Sequence, residues 1–374
     1  MNGPEFLHRI RQDLQRAVAQ RGKPPNPRPL DASPWVAMAL LQKATRRGRE
    51  DLASQAAATL LVDSSDRLWR RCGVIGFEDL GVADPEVVGL ATVALGGKRV
   101  RSALGDEWAV ASFLVEAMAK ANKCRAADDL LMSAELNPAF AAARQAQAKL
   151  PNDELRQVVL RSANLHERAL ALRFLLGTDR RQSRHLAMRR GQPALAFDAL
   201  HELGIAPTMV EIAREGFRKT GEALCAFVAL LMIDGSPTTG IIKDDQFPPE
   251  IMVGKVPSWA IDVFSREGRA AYARFLQTDC ASARWIRGRV SPNRQIALFG
   301  HFVFRVEGGV VRNRLRWKLA DELRRQADFE CAGLESPEAI EIADLVRADI
   351  PILNEVRAEL HRRPGQEAEG PEHR

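Results

Sequence analysis

Two groups of residues in this chain have the types and spacing to do chemistry. The first is the acidic pair Glu78-Asp79 within "RRCGVIGFEDLGVADPEVV" (70–88). Two carboxylates meeting at one point would suit a divalent cation or a shared proton. On an α-helix neighbouring side chains point about 100° apart, so joint chelation requires the backbone to leave the helix there. The same stretch also reads as punctuation. Gly81 suits a left-handed helix end, and Asp84-Pro85 supplies an N-cap followed by proline at a first helical position. Gly73 and Gly76 allow another backbone to come close. Capping and packing account for nearly every residue of the motif, with metal or acid–base chemistry through Glu78, Asp79 and Asp84 as the competing reading.

The second group is basic. Residues 284–325 hold eleven Lys or Arg against Glu307, Asp321 and Glu322, a local charge of +8 in a chain whose total is +6. Arg287, Arg289, Arg312, Arg314, Arg316, Lys318, Arg324 and Arg325 offer donors for phosphate oxygens, and Trp285 and Trp317 offer faces for stacking on unpaired bases. The competing reading is an arginine-rich helix that turns Val311, Leu315, Leu319 and Leu323 inward and leaves its charges in water. The uneven distribution favours a polyanionic partner.

Other chemistry has little support. The five cysteines (72, 124, 225, 280, 331) are odd in number and never spaced C-x-x-C, which suggests neither a disulfide framework nor a zinc site and fits a reducing, cytoplasmic setting. The seven histidines form no H-x-x-x-H pair, and no G-x-S-x-G elbow occurs. No phosphate-binding G-x-x-x-x-G-K-[ST] loop is present; "VALGGKRVRS" (93–102) is the nearest imitation and lacks the first glycine. No cofactor and no catalytic role are expected. Charges run throughout the N-terminal segment, and the longest apolar run, "LCAFVALLMI" (224–233), is too short to span a bilayer, so neither export nor a membrane partner is expected.

Ala, Leu, Arg and Glu dominate and the periodicity is helical, which predicts an all-α, multi-helix array. A basic amphipathic segment and proline-rich linker (1–32) precede a helical body (33–234). Ser33-Pro34 should open its first helix, Gly48 stop it, and Asp63 or Ser64 begin the third. A Gly/Pro-rich loop (235–257) should divide this body from a basic helical module (258–363), followed by a disordered tail (364–374). Around 299–314 helix and hairpin compete, and strong helix formers downstream favour two helices joined at Gly308-Gly309.

"LWRRCGVIGFEDLGVADPEV" resembles a signature in the C-terminal helical region of the replication-associated recombination protein A group (RarA, MgsA and the Werner-helicase-interacting protein), clamp-loader-like AAA+ ATPases. "MALLQKATRRGREDLASQAAATLL", "LGDEWAVASFLVEAMAKANKCRAADDLLMSAE" and "SWAIDVFSREGRAAYARFL" are similar to further segments of that region. The resemblance implies a clamp-loader-collar-like body for oligomerisation in DNA metabolism, without the family's ATPase. The expected function is therefore a non-catalytic accessory protein of DNA replication or recombination that binds nucleic acid and self-associates. The alternative is a helical protein–protein adaptor, with a separate ATPase as a candidate partner.

Overall fold

The computed structural model describes residues 3–22, 24–179, 181–233 and 240–362. Among these the chain is all-α, with helices α1 (Gly3–Arg21), α2 (Pro34–Arg47), α3 (Glu50–Ile75), α4 (Pro85–Ala94), α5 (Lys98–Leu104), α6 (Glu107–Lys120), α7 (Ala126–Leu136), α8 (Ala141–Ala148) and α9 (Asn152–Arg161). There follow α10 (Leu165–Leu176), α11 (Pro193–Glu202), α12 (Pro207–Thr220), α13 (Leu224–Leu230), α14 (Arg266–Phe275), α15 (Ala281–Arg289), α16 (Pro292–Val303), α17 (Lys318–Phe329) and α18 (Ser336–His361). Two short antiparallel ribbons accompany them: β1 (Ile241–Lys243) pairs with β4 (Arg314–Arg316), and β2 (Met252–Val253) with β3 (Val256–Pro257). No described helix is long and apolar enough to cross a membrane.

Local sequence sets the helix ends. Ser33 Oγ accepts from Val36 N, Pro34 takes the first position of α2, and Gly48 closes the helix at φ +67. Val36, Ala37, Leu40, Leu41 and Ala44 then share its buried side. At Ser64 the backbone of α3 is extended (φ −163, ψ 103), which divides the segment where the sequence predicts a new helix. Asp84 accepts from Val87 N, with Pro85 opening α4.

Two apolar cores organise the chain. The first gathers side chains from α1 to α13, from Trp259 to Ile261, and from Ala320 and Leu323 of α17. The second lies among α14, α15, α16 and α18, around Phe275, Phe299, Phe302 and Ile342. The cores therefore do not divide at 235–257 as expected. The chain leaves the first body after Ile261, builds the second, and returns through β4 and α17, where Gln326 Oε1 accepts from Ser133 of α7 at 2.8 Å. Residues 235–239 of the expected loop and the expected tail 364–374 lie outside the described residues.

The helix predicted through 311–317 is not formed. Arg312 N donates to Arg46 O (2.8 Å) and Leu315 N to Lys123 O (2.8 Å), while β4 pairs with β1. Asn313 adopts φ +52, a conformation Asn tolerates better than most residues. These distant backbone partners satisfy the segment in extended form, and they outweigh its local helix propensity.

Candidate functional site

The acidic pair sits where the helix changes pitch. Gly76–Leu80 form one π-helical turn continuing α3, and Phe304–Gly308 form a second continuing α16. Such wide turns are rare and often mark functional positions. In the first, both carboxylates reach the same cations. Arg46 donates through Nε to Asp79 Oδ1 and through Nη2 to Glu78 Oε1, each at 2.7 Å. Arg125 donates to Asp79 and to Asp128, and also to Glu78 Oε1 at 3.2 Å. Gln42 donates to Asp79 Oδ2 at 3.0 Å and accepts from Arg71 at 2.9 Å. Gly81 follows at φ +51, where an added Cβ would lie 2.8 Å from the Cys124 carbonyl oxygen.

This pairing sets the charge states. Burial raises the Glu78 carboxyl above its ordinary value, helped by Asp79 and Asp128 and opposed by the two arginines. Burial would raise Asp79 too, but Arg46 and Arg125 outweigh it and hold the group below the usual carboxylate range. The carboxylates are engaged by guanidinium groups, and among the described residues no cluster of His, Cys, Asp and Glu could hold a metal ion.

The second π turn is tied to the first. Arg46 Nη1 donates to Gly308 O at 2.7 Å, and Arg47 Nη2 to Glu307 O at 3.1 Å. The guanidinium carbons of Arg46, Arg125 and Arg305 lie 5.3, 5.1 and 5.3 Å from the Phe304 ring centroid. Lys43 closes the network with Asp262 at 2.7 Å.

Above this ionic floor opens a cavity of about 460 Å3, walled by α2, the 262–264 turn and α16. That size falls within the range of about 300–1,000 Å3 usual for ligand pockets. Gln42, Arg71, Glu78, Asp128 and His301 face it, beside Met38, Met132 and Phe304. Two of its lining residues, Trp35 and Phe264, are 58% and 67% exposed. The 262–264 turn is held by Asp262 Oδ1, which accepts from Phe264 N at 3.0 Å, and by Gly268, whose missing Cβ leaves room for the Asp262 carbonyl.

The predicted basic residues divide between two environments. Arg314 and Arg324 clamp Asp245, at 2.7 and 2.8 Å, and Arg314 is buried. Arg316 pairs with Asp321 at 2.9 Å, Arg325 with Glu322 and Glu330 at 3.0 and 2.7 Å, and Arg312 stands 3.7 Å from Asp244. Lys318 is exposed and forms no ion pair among the described residues. Most of this segment thus spends its charge internally. Arg287 and Arg289 belong elsewhere, on the outer face of α15, where Arg289 lies over the Trp285 ring at 4.7 Å and Arg287 donates to the carbonyls of Leu276 and Thr278. Further exposed cations outside the predicted set lie near them in sequence. Arg266, Arg269, Arg274, Arg284 and Arg294 are all exposed, which gives residues 266–294 seven exposed arginines against Glu267 and Asp279. On α14 the exposed positions 266, 269, 270, 273 and 274 form one helical stripe opposite buried Ala271, Tyr272 and Phe275. That spacing was the available sequence signal for the first three.

Comparison of the chain with protein-family models, with characterised proteins and with solved structures gives no match.

His301, on the cavity wall, gives a pH prediction. Its Nε2 lies 3.1 Å from the Asp328 carbonyl oxygen, and burial, with Arg305 beside it, pushes the imidazole down to about 4. Because the folded value is depressed, stability from neutral His301 is complete above about pH 6.5 and declines as pH falls towards 4, by up to about 3 kcal/mol. Denaturant unfolding at pH 7 and pH 5 should show a smaller acid-induced loss for His301→Gln than for the unaltered protein. An equal loss would exclude this histidine as a source.

Proposed function

We propose that the protein is a non-catalytic, nucleic-acid-binding accessory factor whose contact surface is the arginine face of α14, α15 and the start of α16. The observation that carries this reading is the concentration of seven exposed arginines with two acids between residues 266 and 294. Among the described residues Arg284 pairs there with exposed Asp279 at 3.3 Å and Arg287 donates to two backbone carbonyls, while Arg266, Arg269, Arg274, Arg289 and Arg294 form no ion pair with a carboxylate and stand available to a polyanion. The resemblance of "RRCGVIGFEDLGVADP" and "SWAIDVFSREGR" to helical segments of the RarA group supports a place in DNA replication or recombination. Exposed Ile241, Ile242, Ile251 and Met252 supply apolar surface for self-association or for a protein partner such as a separate ATPase.

The test is fluorescence anisotropy with a labelled single-stranded oligonucleotide at several salt concentrations. Affinity should fall with salt at a log–log slope of about −0.7 per phosphate contact. The triple variant Arg266→Glu/Arg269→Glu/Arg274→Glu should flatten that slope by about two units while the protein stays folded. Absence of binding at low salt would leave the protein–protein adaptor as the better account, and light scattering would then report on assembly.

A further inference from the structure

We infer that the cavity beneath Trp35 and Phe264 receives an unpaired base of the bound strand, one that carries an exocyclic amino group. The inference rests on the nucleic-acid reading above and adds to it a site for the base.

Three observations converge on it. First, two of the exposed arginines flank the cavity. Phe264 lies two residues before Arg266, and Ala297, which lines the cavity, is one helical turn beyond Arg294 on α16. At about 1.5 Å rise per residue, that turn separates a phosphate-binding cation from the wall by roughly 5 Å along the axis. A strand that contacts Arg266 or Arg294 is therefore brought beside the cavity mouth. Second, two large aromatic side chains are left in water there, on different elements, with Trp35 at the start of α2 and Phe264 in the turn before α14. Every base offers a flat face to such rings. Third, the floor presents acceptors to the base edge. Glu78 Oε1 and Asp128 Oδ2 are engaged by arginine, whereas Glu78 Oε2 and Asp128 Oδ1 accept no hydrogen bond among the described residues. Both side chains keep some exposure, 17% and 16%. Carboxylate oxygens accept from cytosine N4, and the amino groups of adenine and guanine donate in the same way. Thymine has no amino group to offer.

The experiment compares dC and dT homopolymers of equal length, together with an oligonucleotide bearing abasic sites, by anisotropy at fixed low salt. The unaltered protein should bind dC more tightly than dT, and the abasic strand more weakly than either. Trp35→Ala/Phe264→Ala should weaken dC binding about ten-fold or more, leave the abasic strand unaffected, abolish the dC preference and keep the salt slope. Both residues are exposed, so folding should survive. Ala297→Trp, which fills the mouth instead of emptying it, should give the same pattern. Salt-dependent binding that is indifferent to all these changes would overturn the base site and leave the arginine face standing. No binding by the unaltered protein at low salt would overturn both.

Discussion

Asp79→Ala should destabilise the protein by about 3–5 kcal/mol, the usual cost of removing one partner from a buried ion pair. The Asp79 side chain is 0% exposed, and its two oxygens take donors from Arg46, Arg125 and Gln42. Truncation leaves two buried guanidinium groups with Glu78 and Asp128 as their remaining carboxylates, while the Cys124 N to Asp79 O bond (2.8 Å) survives as backbone. Asp79→Asn keeps the shape without the charge and should cost less. The pH dependence has a definite sign. Because the folded group is held below its ordinary value, its contribution is present above about pH 4 and is lost as pH falls through the lower folded value. Asp79→Ala should therefore be less acid-sensitive than the unaltered protein. Urea unfolding at pH 7 and near pH 3 measures both effects, and a loss below about 1 kcal/mol at pH 7 would contradict the structural role.

A second large effect is expected at the other π turn. Arg357 of α18 donates to both oxygens of Glu307 at 2.8 Å, and the two side chains are 0% and 2% exposed. This fork fastens α18 to the turn whose Gly308 and Glu307 carbonyls accept from Arg46 and Arg47 of α2. Arg357→Met should cost about 3–5 kcal/mol by leaving Glu307 buried with Lys43 and Arg47 as its nearby cations. The double variant Arg357→Met/Glu307→Leu removes both charges and should be distinctly less destabilised than the sum of the single changes. Additive losses in a double-mutant cycle would mean that the two side chains act independently.

Much of the helical layout was legible in the sequence. Ser33-Pro34 and Gly48 bound α2, the break at Ser64 follows from Asp63-Ser64, and Asp84-Pro85 opens α4. Each is a local effect, decided within one turn by a cap, a proline or a left-handed glycine. The charged residues were less legible. Arg46 and Arg47 lie in the last turn of α2, where local rules favour exposed cations, yet both are buried. Asp245 gave no signal of its own, and it draws Arg314 and Arg324 out of the solvent.

The sequence by itself determined that the chain is all-α, where several of its helices start or stop, and that positive charge gathers towards the C-terminal part. Tertiary structure alone decided which of those charges remain free. Arg46 meets Asp79 across 33 residues and Gly308 across 262, and Arg314 meets Asp245 across 69. Helix caps and apolar periodicity act over three or four residues, so they carry no information about such partners. A guanidinium group takes whichever carboxylate the packed cores bring within reach, and on α14 and α15 few are brought, so the arginines there stay exposed.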